Sequence, residues 1–78
     1  MTTIPAAPKL IEGWWRHSYG QGQRSHALRT IPGVDIQVIT LCGQVWMRDN
    51  LLYAKTPTIR EELACARCLS ALNKWRAK

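Results

Sequence analysis

The sequence predicts a small α+β domain: an antiparallel sheet of two or three strands with a C-terminal helix packed across it. Three observations carry that expectation. Ile36-Gln37-Val38-Ile39-Thr40-Leu41 is β-branched and partly alternating, the pattern of a half-buried strand. Ile31-Pro32-Gly33-Val34-Asp35 before it reads as a turn, because proline presets φ and glycine permits φ > 0. From Thr58 to Ala77 the residues are mostly good helix formers, without glycine or proline.

Residues 1–9 carry Pro5, Pro8 and small residues without periodicity, and read as a flexible tail; residues 10–78 read as a single domain. Leu10, Ile11, Trp14 and Trp15 suggest a short helical turn capping the core, followed by a loop at Tyr19-Gly20-Gln21-Gly22-Gln23. Residues 24–30 can form a strand that pairs with 36–42 across the Pro-Gly turn. Cys42-Gly43-Gln44 interrupts the strand pattern, Val45–Arg48 resumes it, Asp49-Asn50 turns, and Leu51–Ala54 offers a further short strand. Pro57 suits a first helical turn, and Thr58 with Glu61 has capping-box spacing. On that helix Cys65, Cys68, Leu69, Leu72 and Trp75 share a core face, while Arg60, Arg67, Lys74 and Lys78 share another.

With 78 residues, the chain is too short for a large core. A core of that size alone rarely leaves more than about 3–5 kcal/mol of stability, so a staple is expected. Hydrophobic residues make up 46%, which argues against general disorder. No stretch approaches the ~18–20 apolar residues of a membrane span. The opening MTTIPAAPKL lacks the charged start and apolar run of a signal peptide, so a cytoplasmic protein is expected. In a reducing compartment three cysteines, an odd number, do not suggest a disulfide framework.

The cysteines suggest a metal instead. Cys65-Ala66-Arg67-Cys68 spaces two sulfurs to reach one tetrahedral ion. Cys42 stands at a strand end, and Gly43 after it lets the backbone turn tightly, with N–H groups free to point at the sulfur. Zinc takes a fourth ligand, and the only imidazoles are His17 and His26. The hairpin of residues 24–30 with 36–42 brings His26 beside Cys42, which favours His26; His17 is the alternative. A thioredoxin-type redox pair lacks its βαβ setting, and haem attachment fails because Leu69 follows Cys68. A zinc deaminase fails because Ala27-Leu28 follow His26 and Ala64 precedes Cys65. An iron–sulfur cluster on three cysteines and a histidine is a less common arrangement. Four protein ligands close a zinc shell to substrate, and only five carboxylates exist in the chain, so no enzyme is expected. The expected fold is then zinc-ribbon-like or treble-clef-like, with one structural zinc at the sheet edge.

Ser25-His26-Ala27-Leu28, Thr40-Leu41-Cys42-Gly43 and Cys65-Ala66-Arg67-Cys68-Leu69 together resemble a pattern in short zinc fingers of actinobacteria and their phages. Those proteins carry one histidine and three cysteines, with a Thr-x-Cys-Gly step and a closing Cys-x-x-Cys-Leu. The resemblance spans roughly residues 24–72 and implies zinc ligands at His26, Cys42, Cys65 and Cys68. The long insert between His26 and Cys42 departs from it, as does the Trp-rich start.

Two functions follow from the composition. The net charge of +6 favours an acidic partner, nucleic acid first. Arg60, Arg67, Lys74 and Lys78 would grip phosphates, with Arg16, Arg24, Arg29 and Arg48 in support. The plainer reading of that face is solvation. Alternatively, four tryptophans are many for this length, and an exposed Trp14 or Trp15 would anchor a protein partner. Redox or metal sensing through the thiols is a third reading.

Overall fold

The computed structural model describes residues 7–19 and 24–77. Strands β1 (Leu10–His17), β2 (His26–Ile31), β3 (Val34–Thr40), β4 (Val45–Met47) and β5 (Leu51–Lys55) precede helix α1 (Ala66–Arg76). Single 3-10 turns occupy Arg48–Asn50 and Glu61–Leu63. The expected α+β class is present, but the sheet has five strands rather than two or three, more than a zinc ribbon or treble clef requires.

The β2–β3 hairpin forms where the Pro-Gly pair predicts it. Ile31 faces Val34 across Pro32-Gly33, and Gly33 takes φ +79, close to the +80° a type II turn demands there. The sheet order is β4-β3-β2-β1-β5, all antiparallel. Its two outer strands are joined by only the three residues Arg48–Asn50. In a flat sheet β1 and β4 would stand about 14 Å apart, three strand spacings. Instead the rings of His17 and Trp46 lie 5.3 Å apart, and the short Arg48–Asn50 link holds β5 close to β4. The sheet is therefore curled into a partly closed barrel.

The curl creates two cores. Leu28, Val38 and Trp46 fill the inside, with Ile11, Trp15 and Leu51 against them. Trp14, Ala27, Ala64, Cys68 and Leu72 pack between the outer wall and α1. Strand β1 is thus covered on both faces: Trp14 points to the helix side and Trp15 to the barrel side. This corrects the helical turn expected at residues 10–15, since a strand apolar on both faces loses its alternation. It also corrects the expectation of an exposed tryptophan anchor: Trp14 is 2% exposed, and Trp15 is half-buried. A bulge adjusts the register, with four steps from Ile11 to Trp15 against two from Leu28 to His26. Gly13, at φ +96, absorbs it; a Cβ there would stand 2.6 Å from Tyr53 Cε1 and 2.8 Å from the Lys55 carbonyl oxygen.

Helix α1 begins at Ala66, not at Thr58. Tertiary hydrogen bonds outweigh local propensity here. The Ser25 N–H donates to the Leu63 carbonyl and the Cys65 N–H to the Ser25 carbonyl, both at 2.8 Å, in a parallel bridge that keeps Ala64 and Cys65 extended. The Pro57 carbonyl accepts the Trp14 indole N–H. The helix buries Cys68 and Leu72, with Leu69 and Trp75 half-buried. Of the expected tail, residues 1–6 lie outside the described residues, and Lys9 is tied to Thr30 by two hydrogen bonds. The loop expected at 19–23 lies outside them beyond Tyr19. No helix among the described residues is long and apolar enough to cross a membrane.

Candidate metal centre

Four side chains meet at one end of the barrel. His26 opens β2, directly after the Ser25–Ala64 bridge that fixes the backbone there. Cys42 sits in the tight loop after β3. Gly43 at φ +108 makes that loop, as its position after a cysteine suggests. Its N–H, however, donates to the Thr40 carbonyl at 2.9 Å rather than to sulfur. Cys65 is the residue just before α1, and Cys68 lies in the first turn, so both sulfurs emerge from the helix start. The donors thus come as two local pairs, His26 with Cys42 through the hairpin and Cys65 with Cys68 through the helix.

One atom from each of His26, Cys42, Cys65 and Cys68 lies within 4.8 Å of all the others. His26 Nδ1 is 3.3 Å from Cys68 Sγ and 3.4 Å from Cys42 Sγ. A tetrahedral ion with arms of about 2.0 Å to nitrogen and 2.3 Å to sulfur has N···S edges of about 3.5 Å and S···S edges of about 3.8 Å. The donor set fits such an ion, and the three cysteines are free thiols rather than a disulfide. His17 does not join the cluster among the described residues; its Nδ1 accepts the Tyr19 N–H at 3.2 Å, and its ring lies against Trp46.

The electrostatics favour a cation at this point. Burial pushes the Cys68 thiol up to about 12, and the neighbouring Cys42 and Cys65 sulfurs add to the rise. Three sulfurs this close cannot all be thiolates unless a positive ion sits among them. Burial acts on Cys65 in the same sense, but the amides of Cys68 and Arg67, facing its sulfur without a full capping hydrogen bond, bring the thiol below its ordinary value. Burial also holds His26 below the usual imidazole range, so at neutral pH it is a neutral ligand.

Further residues support the cluster. The edge of the Trp46 ring packs on His26 at 5.0 Å, with the Trp46 indole N–H donated to Gln44 Oε1 at 3.1 Å. Thr40 Oγ1 stands 3.1 Å from Cys42 Sγ. Sequence reasoning did not single out Thr40 or Trp46; the Thr-x-Cys-Gly step was the available signal for the first. A groove of about 490 Å³, lined by Arg24, His26, Gln44, Cys65 and Ala66, opens beside the site.

Of the expected phosphate-gripping residues, those among the described residues do not share one helix face. Arg67 and Lys74 are exposed on α1, seven residues apart and so on the same side. Arg60 lies before the helix and pairs with Glu62 at 3.4 Å, and Lys78 lies outside the described residues.

Fold and cluster define a small α+β protein with a histidine and three cysteines placed to hold one metal ion. No protein-family model, curated protein or solved structure matches the chain.

Proposed function

We propose that the chain is a non-enzymatic zinc-stapled binding domain whose basic surface engages nucleic acid. The observation that carries the zinc is the mutual distance of the four donor atoms. Zinc, borderline-soft and without geometric preference of its own, suits three sulfurs and an imidazole. Donors all within 4.8 Å leave room for one ion, not for a cluster of two or more irons. Four protein ligands leave no open position for a substrate, so the role is structural. The resemblance to one-histidine, three-cysteine fingers points the same way. The test is metal analysis with native mass on wild type, His17→Ala and His26→Ala. One zinc per chain, lost in His26→Ala alone, supports the reading; zinc retained in His26→Ala refutes the ligand set.

Nucleic-acid binding is supported by the net charge of +6 and by α1, which carries Arg67, Lys74 and Arg76 but no acidic residue. Affinity should fall with salt, because each phosphate contact releases counterions. Arg67→Ala and Lys74→Ala should each reduce the log–log salt slope by about 1. No shift with DNA or RNA at low salt would remove this reading.

A second reading, a protein-interaction module, draws on exposed apolar side chains other than tryptophan. Val45 and Met47 project from the same side of edge strand β4, and Tyr53 is exposed on β5. A stoichiometric protein partner bound independently of salt would favour it.

A further inference from the structure

We infer that Thr40 is a positioning residue of the metal centre, its hydroxyl donating a hydrogen bond to the Cys42 thiolate. The inference rests on the proposed metal site and concerns how that site is held. Thr40 is 1% exposed, so its hydroxyl has no water to satisfy it. Its Oγ1 accepts the Gln44 N–H at 2.8 Å. That contact occupies a lone pair and leaves the hydroxyl hydrogen to be placed. The Cys42 sulfur lies 3.1 Å away. A thiolate has no hydrogen to give, so in the metal-bound state the hydroxyl is the donor. The backbone fixes this orientation. The Thr40 N–H donates to the Gln44 carbonyl at 2.7 Å, and the Gly43 N–H returns to the Thr40 carbonyl at 2.9 Å. The Gly43 amide is thereby spent on the backbone, and the threonine side chain serves Cys42 in its place.

The three sulfurs are consequently unequal. Cys42 receives a hydroxyl, Cys65 stands at the N-terminus of α1, and Cys68 is fully buried. A hydrogen bond to a ligating sulfur draws electron density from it and fixes its direction. Loss of such an outer partner typically costs about 10–100-fold in metal affinity.

The experiment compares wild type, Thr40→Val, Thr40→Ala and Thr40→Ser. Zinc affinity is measured by competition with a chromophoric chelator, and the sulfur-to-metal charge-transfer band is recorded with Co(II) in place of zinc. Thr40→Val keeps the β-branched shape of the strand end while removing the hydroxyl. It should weaken zinc about tenfold or more and move the charge-transfer band to lower energy, because the Cys42 sulfur becomes the better electron donor. Thr40→Ser should restore both, and Thr40→Ala supplies the same reading should the valine variant fold poorly. Hydroxyl-free variants with wild-type affinity and an unmoved band overturn the inference while leaving the metal centre intact. A wild-type chain that binds neither ion overturns the metal centre and this inference with it.

Discussion

Removing the metal should release helix α1 while the barrel keeps its interior. The two cores make this separable. Leu28, Val38 and Trp46 are enclosed by strands alone, whereas α1 is held through Cys68, Leu72 and the metal centre. Burial of the Leu72 side chain contributes about 1.5–3 kcal/mol. A structural zinc contributes about 10–16 kcal/mol at neutral pH. A bound zinc would therefore carry the larger share of the attachment. An isolated helix of this length, 11 residues, is marginal in water because it falls below about 12–15. Chelation should then expose the amides of residues 66–76 to rapid hydrogen exchange, with those of β2 and β3 still protected. Trp14, packed under the helix, should shift its emission to the red. Circular dichroism should show loss of helical signal with the strand signal retained. Helix amides that stay protected after exhaustive chelation would refute the reasoning.

Other outcomes are equally open to measurement. Burial holds His26 below its ordinary value of 6.5. The unfolded chain therefore takes up that proton first, so stability is full above pH 6.5 and falls as the pH drops below it. Urea midpoints of the metal-loaded chain at pH 7.5 and 5.5 should show this drop, since a metal held there also needs the neutral imidazole. Trp14→Ala, at a site 2% exposed, should cost about 3–5 kcal/mol in urea unfolding. Trp14→Phe should recover most of it, losing about 1 kcal/mol for the bond to Pro57. Gly13→Ala should destabilise by more than about 1 kcal/mol, since it combines a positive φ with a clash against the Lys55 backbone. Gly33→Ala, with nothing within 4 Å of its added carbon, should cost less.

The parts that could be read in sequence are those governed by local chemistry. The β-branched run at 36–41 and the Pro-Gly turn placed the hairpin, and the hairpin in turn favoured His26 over His17. The C-x-x-C spacing and Cys42-Gly43 named the sulfurs that lie together. What could not be read depends on distant contacts. Strand β1 hides because both its faces are buried, and its bulge at Gly13 is set by Tyr53 and Lys55, some forty residues away. The helix start is decided by Ser25, which bonds Leu63 and Cys65 and overrides the helix propensity of residues 58–65. The curl of the sheet follows from the short Arg48–Asn50 link, which reads in sequence as an ordinary turn. Arg60 leaves the expected basic face for the same reason: residues 58–65 do not join α1, so Arg60 is no longer on the helix.

The pairing of donors bears on the order in which the molecule is assembled. Each half of the centre is near in sequence, but the halves are far apart: His26 and Cys68 are separated by 42 residues. A nascent or unfolded chain can already offer the Cys-x-x-Cys half to an incoming ion, since that pair needs only one turn of backbone. Completion waits for the hairpin to form and swing its own two ligands into place. An ion held there would act as a latch between two halves prepared separately.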